Sequence, residues 1–140
     1  MADFIKAITK VLKKEGGYVN NPVDKGGETY KGIARRFHKD AYMWTLIDKY
    51  KNECGGINST FKKKLDEDKF IDNDVKKIYK ANYWDKFKLD TVSNQKVAEQ
   101  IFDDAVNRGV GAASKLCCAL FGLPVSSIPS TKLIQMLRTL

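Results

Sequence analysis

Over the first fifteen residues, MADFIKAITKVLKKE, the apolar positions Phe4, Ile5, Ile8, Val11 and Leu12 recur at helical intervals, with lysines and a threonine between them. That period gathers apolar side chains on one face and predicts a helix over residues 2–15. The Gly16-Gly17 pair ends the pattern as a C-cap would. Over residues 16–27, GGYVNNPVDKGG, periodicity gives way to Gly, Asn, Pro and Asp, which predict a loop or a small irregular β-ribbon. Helical spacing then resumes. It predicts helices over 29–38, 41–51, 72–85, 95–107, 112–120 and 130–137, with a break at Gly109 and Gly111. Strand signals are almost absent outside the ribbon, and no repeat or heptad appears, so the expected fold class is mostly α with a small β element (α+β).

A chain of 140 residues is long enough for one domain with a real core and short for two, and its 43% hydrophobic and 30% charged residues are ordinary globular values. The net charge of +8 favours an anionic partner: nucleic acid, anionic lipid or bacterial cell-wall polymer. Charge does not choose among these. The longest basic run, Lys62, Lys63 and Lys64, is followed by Asp66, Glu67 and Asp68, the composition of a solvated helix face.

Cys54, Cys117 and Cys118 are odd in number and two are adjacent, which offers neither a disulfide framework nor a CxxC metal spacing. Synthesis in a reducing cytoplasm fits, and no cofactor or metal is called for. The N-terminus lacks the apolar core and cleavage site of a signal peptide, and no apolar run is long enough to span a bilayer. The expectation is no stable membrane insertion, with another component delivering the chain if its substrate lies outside the membrane.

Glu15 breaks a local rule. It falls where the first helix should end, and there the helix dipole disfavours an acid. Its spacing from Ile8 and Leu12 extends the apolar stripe. Both effects favour the protonated carboxyl, the form a general acid needs. The plain alternative is a carboxylate that accepts hydrogen bonds from the next loop or pairs with a lysine. Nine residues on, Asp24 sits in the polar turn NNPVDKGG, where it should stay ionised. Two carboxylates in contrasting surroundings divide the labour of glycoside cleavage between a proton donor and an anion. Thr29 follows, with a hydroxyl that positions a water or caps the next helix.

The stretch EGGYVNNPVDKGGETYKGIA closely resembles the signature of glycoside hydrolase family 108, lysozyme-like muramidases of phage and prophage endolysin type. YWD at residues 83–85 and FDDAVNRGVGAA at residues 102–113 resemble the rest of that domain. The resemblance covers roughly the first 115 residues. It implies a lysozyme-like fold over 1–115, with 116–140 as a helical extension packed on it, a shortened peptidoglycan-binding segment. It implies that Glu15 is catalytic. By a looser similarity to phage-type lysozymes, which hold a Glu, an Asp and a Thr in this order around a β-hairpin, it implies roles for Asp24 and Thr29. Tyr30 departs from the family, which often has Asn there.

Tyr18 and Tyr30 are candidates to stack on sugar rings, against the alternative that they are core aromatics. Asn107 is a candidate to hydrogen-bond an N-acetyl group, against a left-handed helix terminus before Gly109. His38 has no sequence partner for a triad or metal site. The implied activity is cleavage of the β-1,4 bond between N-acetylmuramic acid and N-acetylglucosamine in peptidoglycan glycan strands by a monomer. It requires no cofactor and no nucleic acid, and acts in the periplasm or cell wall after release through a holin or secretion machine. The rivals are a lytic transglycosylase and a non-catalytic relative that binds cell wall or nucleic acid.

Overall fold

The computed structural model describes residues 1–21, 23 and 27–140, with Asn21 described by its backbone alone. The described residues form seven α-helices and one three-stranded antiparallel sheet in the order β1-β2-β3. They fall into two compact units, one of residues 1–11 and 79–140, the other of residues 12–78.

Helix α1 is Phe4–Lys14. Asp3 caps it by accepting from the backbone N–H of Ile5 at 2.8 Å and of Lys6 at 3.3 Å. Phe4, Ala7, Ile8 and Val11 are its buried face, while Ile5 is exposed.

In the unit of residues 12–78, β1 (Tyr18–Asn21) pairs with β2 (Gly27–Tyr30), and β2 pairs with β3 (Ile33–Ala34). A 3-10 turn, Arg35–Phe37, leads to α2, Tyr42–Glu53. Residues 29–38 are thus a hairpin and a turn, where helical spacing predicts a helix. The reason is the backbone at Lys31 and Gly32, whose φ values of 48° and 81° make a two-residue hairpin turn of the hand that suits twisted strands. Helix α3, Ser59–Glu67, carries only two buried apolar residues, Phe61 and Leu65, and takes its start from the Asn58 side chain, which accepts from Phe61 N–H at 2.9 Å. Helix α4, Lys69–Tyr79, is capped by Asp68, and its Asp74 accepts from Met43 N–H at 2.9 Å at the start of α2. The core gathers Tyr18, Tyr30, Met43, Trp44, Ile47, Phe61, Leu65, Ile71 and Val75, with the Tyr18 and Phe61 rings edge to face at 5.0 Å.

In the other unit, a π turn (Lys80–Trp84) and two 3-10 turns precede α5, Gln95–Arg108. Phe4, Trp84 and Phe102 meet edge to face, with centroids 5.4 to 5.7 Å apart. The indole N–H of Trp84 donates to Asp90 at 2.7 Å. Gly109, at φ 90°, breaks the chain between α5 and α6, Val110–Leu120. Helix α7, Thr131–Arg138, follows a loop in which the Ser126 carbonyl accepts from the buried Ser114 hydroxyl at 2.7 Å.

Candidate active site

Helix α1 ends at Lys14, so Glu15 sits at the first residue beyond it, in a bend, half-buried. It makes no hydrogen bond or ion pair with any described residue. Gly16 and Gly17 follow, and neither has the positive φ of a glycine C-cap. A Cβ added at either would meet nothing within 4 Å. The two glycines are therefore not needed to terminate the helix. They leave the chain bare beside the carboxylate.

The strand register sorts the remaining residues by face. Tyr18 lies opposite Tyr30, Asn20 opposite Glu28 and Val19 opposite Thr29. Because side chains alternate along a strand, Tyr18, Glu28 and Tyr30 share one face and Val19 and Thr29 the other. The first face is packed: Tyr18 is 5% and Tyr30 1% exposed. The second is open: Val19 is 50% exposed, Thr29 is half-buried, and the Thr29 hydroxyl has no hydrogen-bond partner among the described residues. Thr29 is a mid-strand residue and caps no helix, which corrects the capping alternative. Asp24 lies outside the described residues.

The expectation that Tyr18 and Tyr30 stack on sugar rings is corrected by their burial. The Tyr18 ring packs on Phe61, lies 5.6 Å beneath the Lys51 ammonium, and its hydroxyl donates to Glu28. Tyr30 donates to Asp66 at 2.9 Å, and burial pushes its hydroxyl pKa up, assisted by that carboxylate. Asn107 is exposed in the last turn of α5 within the other unit, and the positive φ belongs to Gly109, so the left-handed alternative for Asn107 is corrected as well.

Sequence reasoning missed Glu28. Its carboxylate accepts from Lys51 at 2.7 Å, from Arg35 at 2.8 Å and from the Tyr18 hydroxyl. Arg35 also reaches Asp48 through both terminal nitrogens, each at 2.7 Å. Burial disfavours the Glu28 anion, but the hydrogen bonds from Lys51, Tyr18 and Arg35 outweigh it and hold the carboxyl below its ordinary pKa. Glu28 is therefore an ionised anchor of the sheet, unsuited to giving up a proton. Nothing local marks it, since its partners Arg35 and Lys51 lie 7 and 23 residues away. Among the described residues no group of three or more His, Cys, Asp or Glu side chains could hold a metal ion.

A family model described as Glycosyl hydrolase 108 matches residues 8–109. The chain belongs to this family. The matched span takes in Glu15, the whole sheet and α2 to α5, so the glycosyl hydrolase 108 signature and the bare carboxylate before the sheet lie in one stretch. Among solved structures the chain is similar to that of Brucella abortus SagA, with a TM-score of 0.61 and 26% identity, over 98% of this chain and 69% of that one. No curated protein matches. The mostly helical, lysozyme-like fold with a small antiparallel sheet is as expected, and membership of the glycosyl hydrolase 108 family makes the chain a lysozyme-like peptidoglycan hydrolase. No helix among the described residues is long and apolar enough to cross a membrane.

Proposed function

We propose that the chain is an N-acetylmuramidase that cleaves the β-1,4 bond between N-acetylmuramic acid and N-acetylglucosamine, with Glu15 as the general acid. The observation that carries this reading is the state of Glu15: half-buried, unpartnered among the described residues, and followed by two glycines that add no side chain beside it. A structural carboxylate is normally bonded, as Glu28 is, whereas an acid that must reach a leaving oxygen has to be left free.

In the proposed reaction the Glu15 carboxyl protonates the glycosidic oxygen as the bond to the muramic acid anomeric carbon breaks. Asp24, an ionised carboxylate in this reading, stabilises the oxocarbenium-like charge or activates water. Thr29, with an unengaged hydroxyl on the open sheet face, holds that water. Cell-wall lysis after release from a bacterial cytoplasm by a phage or prophage system is the proposed biological role.

The test is turbidity loss of purified peptidoglycan by the native chain and by Glu15→Gln, matched for folding by circular dichroism. Activity should fall by about 10²–10⁴-fold in the variant, the range for a lost acid–base group. Equal activity would remove Glu15 from the mechanism. Mass spectrometry of the products separates hydrolysis, which adds water, from the anhydro ring of a transglycosylase.

A further inference from the structure

Between β3 and α2 the sequence Arg35-Arg36-Phe37-His38-Lys39 places three cations within five residues. Arg35, Arg36 and Lys39 line, with Gly27 and Glu28, a pocket of about 490 Å³. That volume is within the range of ligand sites.

The charges in and around the pocket do not all count. Arg35 is committed to Glu28 and Asp48, and Lys51 to Glu28, so these two cations and two carboxylates cancel. Arg36 and Lys39 make no ion pair with any described residue and are exposed, and Asp40, the next residue, is not part of the lining. Two uncompensated positive charges therefore set the sign of the pocket. Beside them the Phe37 ring is 69% exposed, with the Arg36 guanidinium 4.5 Å from its centroid. A planar fork, a point charge and an open aromatic face suit an anionic group carried on a partly apolar chain.

We propose that the pocket lined by Gly27, Glu28, Arg35, Arg36 and Lys39 is a subsite for the free carboxylates of peptidoglycan stem peptides. The inference rests on the reading of the chain as a peptidoglycan hydrolase. The glycan backbone itself carries no charge in peptide-bearing units, whereas each stem peptide carries carboxylates and short aliphatic side chains. Gly27 and Glu28 belong to β2, the strand that also holds Thr29, so the subsite and the proposed reaction centre share one strand.

Cosedimentation with insoluble peptidoglycan stripped of phosphate-bearing polymers tests the proposal. Two substrates are compared, one with free stem carboxylates and one with those carboxylates amidated by carbodiimide and ammonia. All proteins carry Glu15→Gln to keep the polymer intact, and turnover by the native chain is measured separately. The parent should bind the free-carboxylate polymer about fivefold more tightly than the amidated one, the scale of two exposed charge pairs. Arg36→Gln/Lys39→Gln should lose that preference, while the charge-matched Lys132→Gln/Arg138→Gln should keep it. Absence of any preference in the parent, its survival in Arg36→Gln/Lys39→Gln, or its equal loss in both double variants would overturn the subsite. Absence of turnover by the native chain would instead overturn the hydrolase reading and leave the binding comparison to decide the subsite.

Discussion

The guanidinium of Arg35 meets the carboxylate of Asp48 fork to fork, with two N–H···O contacts of 2.7 Å. Because Nη1 also reaches Glu28 on β2, one side chain ties the sheet to α2. An ammonium in its place is a single point charge and cannot hold both partners in this geometry. Arg35→Lys should therefore destabilise the fold by about 1.5–3 kcal/mol, the range for lost hydrogen bonds to charged groups. The midpoint of urea unfolding measures it, and an unchanged midpoint would show that the fork contributes nothing.

The same carboxylates predict the acid limit of stability. The Arg35 hydrogen bonds hold Asp48 below its ordinary pKa, and Glu28 is held down despite its burial. Asp68 is lowered against its burial by Tyr50 and two backbone amides, and Glu99 is lowered by Lys10 and Gln95. A carboxyl with a depressed folded pKa stabilises above its unfolded value, about 4, and loses that contribution as pH falls through the folded value. Unfolding free energy should be flat from pH 7 to about pH 5 and decline below about pH 4. In Glu28→Gln the decline should be shallower, since one coupled proton is gone. A decline of equal slope would remove Glu28 from the effect.

Tyr30 gives a separate test of burial against substrate contact. Its ring is 1% exposed and its hydroxyl bonds Asp66 on α3. Tyr30→Phe should lower stability by about 1 kcal/mol, the net worth of one hydrogen bond, and leave KM unchanged. A raised KM with unaltered thermal stability would return Tyr30 to the substrate site.

What the sequence made legible follows from how local each signal is. The α1 stripe and the Asn and Ser caps are set by neighbours three or four residues away, and α1, α2, α5 and α7 lie close to where periodicity puts them. Periodicity does not reveal helix α3, because two apolar residues among STFKKKLDE make too thin a stripe, although Asn58 is a readable cap. Helical spacing predicts a helix from residue 29 onward, across the second half of this hairpin, because its turn is Lys-Gly and not the Asn-Gly that marks such turns. At the site, Glu15 stands out in the sequence as an acid where a helix should end, while nothing local marks the Glu28 anchor. Its partners Arg35 and Lys51 reach it only through the folded hairpin and α2.

Gly16 offers a probe of the space beside Glu15. Its φ is not in the left-handed region and an added Cβ meets nothing within 4 Å, so a side chain there should be tolerated by the fold. Gly16→Leu should unfold within about 0.5 kcal/mol of the native chain, as expected for a surface change, yet raise KM for peptidoglycan because the side chain fills the approach to the carboxylate. Unchanged kinetics would show that substrate does not pass this residue.

Thr29 separates a positioned hydroxyl from a strand-forming side chain. It pairs with Val19 on the open face of the sheet, and its hydroxyl is bonded to no described residue. Thr29→Val keeps the β-branched shape that suits a strand and removes only the hydroxyl. If that hydroxyl holds the reacting water, kcat should fall by on the order of 10²-fold, the scale of losing one positioned hydrogen-bonding group, with unfolding free energy unchanged. Thr29→Ser, which restores the hydroxyl and drops the methyl, should recover most of the rate at some cost in stability. Full activity in Thr29→Val would assign the residue to the sheet alone and leave water activation to the segment between β1 and β2.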